Sequence, residues 1–169
     1  MDVAEPIALA WFLTLETWRD GRSTGRARAK NIPCTAGLND LAAAVAWAGT
    51  QDQASLIGSQ AAFLTPLYGA VGTGTGTPAI TDTELYAELT RAQVSAVVAT
   101  PLSNGAATIF QFQFPVNGVS YTITEAGLFS LASVAVNSGD LLDHALISPS
   151  FVWTAGDTLT LSAQLGFTG

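Results

Sequence analysis

The sequence predicts a mainly β protein: a β-sandwich of about seven or eight strands with two short helices inserted in the N-terminal half. Three observations lead there. Several segments alternate apolar and polar residues with the period of two expected of a strand with one buried side. Turn-forming pairs such as Asp20-Gly21, Asn117-Gly118 and Gly156-Asp157 punctuate those segments. The 169-residue chain is 49% hydrophobic and only 11% charged, where an ordinary soluble domain is about 25% charged, so core material is ample and strongly solvated faces are few.

From Ile7 to Thr17 the apolar side is Ile7, Leu9, Trp11, Leu13 and Leu15, opposed by Ala8, Ala10, Thr14 and Glu16, with Phe12 interrupting the polar face. This predicts a strand. Asp20-Gly21 predicts a hairpin, and Ser23 to Asn31 the returning strand. A strict two-residue loop would set Leu15 against Arg26 on the buried face, which is costly. A three-residue loop, Asp20-Gly21-Arg22, pairs Leu15 with Ala27, Leu13 with Ala29 and Glu16 with Arg26, and is the register expected.

Thr35 to Ala48 predicts a helix, with Thr35 as N-cap, Leu38, Leu41, Val45 and Ala48 at helical spacing, and Gly49 as the stop. Asp52 to Gln60 is a polar loop, and Leu67 to Val71 a short strand broken by Gly69. Gly72 to Pro78 is too glycine-rich for a regular element. Thr81 and Glu84 have capping-box spacing and Leu85 and Leu89 supply an apolar stripe, so a second helix is expected, ending near Arg91 or Gln93.

Beyond Val94 the pattern is all β. Val94, Ala96 and Val98 share one face, as do Phe110, Phe112 and Phe114; Asn117-Gly118 predicts a hairpin across which Val119, Tyr121 and Ile123 answer. Leu142 to Ile147 and Thr158 to Phe167 complete the set, the last strand turning Leu159, Leu161, Ala163, Leu165 and Phe167 inward. No linker divides the chain. One structural domain is expected over 1–169, with the hairpin and helices in about 1–93 and the C-terminal β part in about 94–169.

Charge is unevenly placed. The formal net charge is −7, yet residues 1–30 sum to +1 and the remainder, with Arg91 its one base, to −8. A small basic segment on an acidic body argues against nucleic-acid binding, which needs a broad basic surface. It suits contact between copies, with Arg22, Arg26, Arg28 and Lys30 meeting an acidic face; the plainer reading is that these bases decorate the exposed side of a hairpin. Trp18 and Trp153, near strand ends, are the tryptophans best placed at a surface, whereas Trp11 fits the core pattern.

Other candidates point to no chemistry. Gly72 to Gly76 lacks the Lys-Ser or Lys-Thr and the spacing of a phosphate loop. His144 lies near Asp140 and Asp143, but a metal or acid–base site needs further ligands or a nucleophile, and its alternation with Leu142 and Leu146 reads as a partly buried strand position. Cys34 precedes a helix start, with packing the simpler role. Glu84 and Glu88, four apart on the expected helix, could form the carboxylate pair of a glycan-cleaving enzyme; solvated helix faces carry such pairs routinely. No catalytic, cofactor or metal site is expected. Ile7 to Leu15 is too short to span a bilayer and no leader pattern precedes it, so neither membrane nor export is expected.

Four blocks carry a resemblance: Asn31 to Ala46 (NIPCTAGLNDLAAAVA), Tyr68 to Val94 (YGAVGTGTGTPAITDTELYAELTRAQV), Tyr121 to Ser130 (YTITEAGLFS) and the closing AGDTLTLSAQLGF. In this order they resemble a family of small tailed-bacteriophage virion proteins, of tail-fibre or minor structural type. The resemblance implies a non-enzymatic virion component, assembled in the host cytoplasm. Its partners would be copies of itself, a trimer being the expected state, and other virion proteins. A host surface glycan, met through Trp18 or Trp153, is a further candidate partner. No repetitive shaft follows the closing strand in this sequence. A short tail or baseplate piece, a fibre-attachment module or a capsid decoration protein is therefore expected rather than a full fibre.

Overall fold

The computed structural model describes residues 8–48, 67–102, 105–130 and 132–168. Nine strands and one helix lie within them: β1 (Ala8–Arg19), β2 (Arg22–Lys30), β3 (Ile32–Pro33), α1 (Thr35–Ala48), β4 (Tyr68–Gly72), β5 (Glu88–Leu102), β6 (Gly105–Phe114), β7 (Tyr121–Ser130), β8 (Asp140–Trp153) and β9 (Thr158–Thr168). The protein is mainly β. Its strands form one antiparallel sheet in the order β2-β1-β9-β6-β5-β4-β7-β8-β3. The sheet nearly closes on itself, because β3 continues from β2, and β2 pairs with β1 while β3 pairs with β8.

Alternation builds the β1–β2 hairpin as expected. Leu13 pairs with Ala29, Leu15 with Ala27 and Glu16 with Arg26. The route to that register differs. Asp20 and Gly21 have φ of 51° and 74°, the left-handed pair of a two-residue type I′ turn, and a bulge at Thr24 supplies the extra residue. Thr24 is not idle there, because its hydroxyl donates to Asp157 Oδ2 at 2.8 Å.

β5 bends the sheet. Its first half pairs with β4 as far as Gln93, and its second half pairs with β6 from Val94 onward across a bulge. The interior then fills from nearly every strand, with Trp11, Leu13, Leu15, Phe112, Phe114, Ile123, Leu142, Trp153, Leu159 and Leu161 in one cluster. A second, smaller cluster (Cys34, Tyr68, Ala70, Leu85, Phe129, Ala132 and Leu141) lies on the far side of β4, β7 and β8, so that part of the sheet is covered on both faces.

Two expected elements are corrected. The second helix is absent: residues 81–87 form turns and Glu88–Leu102 is a strand. Local propensity over Thr81 to Arg91 loses to tertiary bonds, because the Tyr86 and Ala87 amides are held by Glu125 and Leu85 is buried beneath the turns. The Asn117-Gly118 hairpin is also absent. β6 pairs with β5 and β9, while β7 pairs with β4 and β8, so the chain crosses between distant strands there. Asn117 instead caps a local turn, its Oδ1 accepting from the Val119 amide at 3.2 Å.

Smaller differences have clear reasons. The Cys34 carbonyl accepts the first helical bond from Leu38, and the Thr35 hydroxyl donates to Ile80 O, so Cys34 occupies the N-cap position. Leu38 is exposed rather than part of a buried stripe. The expected stop at Gly49 and loop from Asp52 to Gln60 lie outside the described residues, as does Ile7.

Gly69 does not break β4. It leaves room for the core, since a Cβ there would lie 2.7 Å from the Phe112 ring and 2.8 Å from Leu161. Gly69→Ala must displace two fully buried side chains, and urea denaturation should register a loss of about 2 kcal/mol at unchanged slope. A loss below the error of the measurement would mean that the ring can move aside.

Candidate functional site

The most concentrated polar cluster sits where the loop between β4 and β5 crosses the outer face of β7 and β8. Glu125, on β7, is wholly buried, following Thr124 and preceding the apolar run Ala126 to Phe129. A carboxylate in such a place needs donors on both oxygens. Oε1 accepts the backbone amides of Gly74 (3.0 Å) and Ala87 (2.7 Å). Oε2 accepts the amide of Tyr86 (3.0 Å) and the Nε2 of His144 (3.1 Å).

His144, on β8, is also wholly buried, and its other nitrogen, Nδ1, donates to Asp82 Oδ2 at 2.7 Å. Asp82 further accepts the Ala79 amide at 2.8 Å. The Tyr86 hydroxyl donates to Thr77 O at 2.7 Å and lies 3.2 Å from Asp82 Oδ2, while its ring packs on the imidazole at 5.0 Å between centroids.

This explains the glycine run. A Cβ at Gly74 would lie 2.6 Å from the Glu125 carboxylate, Gly72 is as tightly placed against the same oxygen, and a Cβ at Gly76 would touch the Tyr86 ring. The loop cradles an anion, as glycine-rich loops do, but the chain supplies that anion itself.

Electrostatics follow from the geometry. Burial disfavours a charged His144, yet bonds to Glu125 and then Asp82 outweigh it and raise the imidazole above its ordinary value. Burial likewise opposes ionisation of Glu125, but His144 and the Ala87, Tyr86 and Gly74 amides hold that carboxyl below its ordinary value. Asp82 is also lowered, the Ala79 amide and His144 overcoming its desolvation. The geometry, a carboxylate oxygen at each ring nitrogen, favours the protonated imidazole.

Neighbouring groups behave differently. Asp143 is fully buried, and burial pushes its carboxyl up to about 8 despite the Leu128 amide at 3.1 Å. Its Oδ2 has no hydrogen-bond partner among the described residues. Burial, then the charges of Asp143 and Asp82, push the Cys34 thiol up to about 12, which leaves it protonated and unreactive. Chemically, the cluster holds a proton and pins a loop.

The sequence singled out His144 but matched it with Asp140 and Asp143. Its bonded partners are Asp82 and Glu125, which are 62 and 19 residues away. The useful signal was a lone Glu inside the apolar run ITEAGLF and two polar residues inside LLDHALI. Glu84 and Glu88 share no helix. Glu84 is exposed, while Glu88 makes a buried two-bond pair with Arg91, each bond 2.6 Å. Arg91 also donates to Ser133 O and Ser138 O and stacks on Phe129, tying down the β7–β8 loop.

The surface candidates divide. Arg22, Arg26, Arg28 and Lys30 are all exposed on β2. Arg26 faces Glu16 in register, but the Glu16 carboxylate accepts from Ser23, and none of these four bases joins an ion pair among the described residues. Arg28 lies over the Phe12 ring at 4.3 Å. Trp18 is 36% exposed and borders an open groove. Trp153 is corrected: it is buried in the main core, and its indole N–H donates to Asp157 O at 2.9 Å, so it presents no surface. Among the described residues no group of His, Cys, Asp and Glu side chains has a metal-site arrangement. No helix among them is long and apolar enough to cross a membrane.

No family model, curated protein or solved structure matches the chain.

Two predictions come from the cluster. His144 binds its proton more tightly folded than unfolded, so its contribution is whole below its ordinary value of 6.5 and fades as pH rises through the folded value. Asp143 has the same sign: stability drains as pH rises from its ordinary value of 3.8 to about 8. Asp82 and Glu125 act oppositely, contributing fully above their ordinary values of 3.8 and 4.5 and losing that as pH falls through the lower folded values. The melting temperature should therefore peak near pH 5 and fall by about 10 °C towards pH 8, with a shallower fall in His144→Gln. A flat profile over that interval would remove the charged-imidazole assignment. Separately, Glu125→Gln leaves three amides and an imidazolium facing a neutral amide. It should cost about 3 kcal/mol and release the Gly74, Tyr86 and Ala87 amides to hydrogen exchange ahead of the core.

Proposed function

We propose that the protein is a structural component of a tailed-phage virion that acts by assembling with copies of itself and with neighbouring virion proteins, at the tail, baseplate or fibre attachment. The observation that carries this reading is charge segregation on a rigid sheet. Four exposed bases lie along one strand, β2, none of them in an ion pair among the described residues, while beyond residue 30 Glu84 and Asp140 are exposed acids and the one base, Arg91, is buried. Such a molecule complements another copy of itself. Closed symmetric rings are the common outcome of that complementarity, and a trimer is the state proposed.

The order of the four sequence blocks supports the same reading. So does a polar centre built to fix a loop, which is the design of a rigid module. The sheet is further read as a sandwich, with β5 passing from one layer to the other. A capsid decoration protein is the alternative placement, since a lattice of copies would use the same complementarity.

Sedimentation tests assembly. The protein should associate at low salt and dissociate at about 0.5 M, where screening is short-ranged. Reversal of Arg22 and Lys30 to Glu should abolish association without lowering the melting temperature, because both side chains are exposed and neither joins an ion pair among the described residues. Gold-labelled antibody on intact particles then tests place. Label at the tail or its tip supports the tail reading, label over the head supports decoration, and particles without label refute a virion role.

A further inference from the structure

We infer that the groove beside Trp18 is a binding site for a neutral saccharide. The groove, of about 570 Å³, opens at one end of the sheet's outer face, between the β1–β2 turn, the turn before β9 and the segment after β6. That volume lies within the range of small-ligand sites.

Its position follows from the strand pattern. Trp11, Leu13, Leu15 and Thr17 point inward, so Trp18 points outward. Thr158 is its partner on β9, and Thr160 and Gln113 stand opposite each other in the next pair across β9 and β6. An indole 36% exposed is therefore flanked by polar side chains on the outer face of the sheet. Neither Gln113 nor Thr160 spends its side chain on a hydrogen bond to another described residue, and the same is true of Asp20 at the rim. Gly21 lines the rim in open space, its φ of 74° set by the turn.

Lining chemistry selects the ligand class. Arg19 is the one base of the groove and is already engaged by Asp157 Oδ1 at 2.6 Å and Ala155 O at 2.9 Å. Asp20 is the one acid. A phosphate or nucleic acid finds no available cation, and a fully apolar ligand finds only Trp18 and Val116. What fits is a neutral molecule with one apolar face and many hydroxyls: a sugar ring stacked on the indole, with its hydroxyls on Gln113, Thr160 and Asp20. This inference does not rest on the assembly reading, because the groove lies within one copy of the chain.

The experiment is a titration of ¹⁵N-labelled protein at high ionic strength, where the assembly proposed above is dissociated. The probes are maltotriose, cellotriose and chitotriose, each carried to tens of millimolar, with the Trp18 indole N–H as the reporter. At least one should shift that signal and the Gln113 and Thr160 amides saturably, with Kd on the order of 1 mM for so open a site. Trp18→Ala should weaken binding about tenfold or more, Trp18→Phe should retain part of it, and Gln113→Ala should weaken it several-fold. The proposal is overturned if none of the three probes gives a saturable shift, or if the shift survives Trp18→Ala. It is overturned equally if the Trp18 signal moves with protein concentration alone, which would make the groove a contact between copies. Failure here leaves the sedimentation result untouched.

Discussion

The Glu125 carboxylate is the constraint around which one side of the molecule is arranged. An ion with no access to water must find its solvation within the protein, and Glu125 finds it in three amides and one imidazole. The amides belong to Gly74, Tyr86 and Ala87, so meeting the carboxylate's needs fixes both ends of the loop between β4 and β5. The imidazole passes the demand to Asp82, which draws in Ala79 and Tyr86. Thr35 then binds Ile80 through both its amide and its hydroxyl, and α1 starts where the loop permits. A chain of donors and acceptors thus runs from a strand interior to a helix start.

The second buried pair, Glu88 with Arg91, does the same for the loop between β7 and β8 through Ser133 and Ser138. Both charged devices serve the half of the sheet made by β4, β7 and β8. That half is covered on both faces around Tyr68, Ala70, Phe129 and Leu141. The half made by β2, β1, β9 and β6 has one core face and one open face, and the exposed bases and the Trp18 groove are both there. Buried charge ties down the loops on one side, while the other side carries the surfaces on which both proposals rest.

What the sequence revealed depended on the range of the interaction. The hairpin register was legible because cross-strand pairing over a few residues must keep Leu13 and Leu15 off the arginines. The closing strand was legible for the same reason. The second helix was misread because Thr81, Glu84, Leu85 and Leu89 do form a valid local pattern. Nothing nearby in sequence shows that Glu125, about 40 residues on, claims the amides a helix would need. Asn117-Gly118 was misread because turn preference does not reveal which strands pair, and here the chain crosses the sheet. The cluster of Glu125, His144 and Asp82 was half legible: His144 and the glycine run stood out in the sequence, but the carboxylate joining them lies in a strand whose neighbours Ile123 and Ala126 are core residues. Trp153 was placed at the surface by its nearness to a strand end, although its indole N–H had a carbonyl partner in Asp157 four residues later.

Near closure of the sheet also decides how copies can meet. An open sheet associates most readily edge to edge, by adding strands. Here β2 and β8 are the strands at the seam, and they lie against each other, with Phe151 ring atoms 3.3 Å and 3.7 Å from where a Cβ on Gly25 would be. β2 carries Arg26, Arg28 and Lys30, and β8 carries Pro149, which has no amide to donate. Charged side chains and proline are the usual means by which an edge is made unattractive to another strand. Strand addition is therefore disfavoured at the seam. The same bases that guard the edge remain able to attract an acidic face at longer range, because side-chain electrostatics need no backbone register. Under the proposed self-assembly, copies would then meet face to face, with β2 as the positive element.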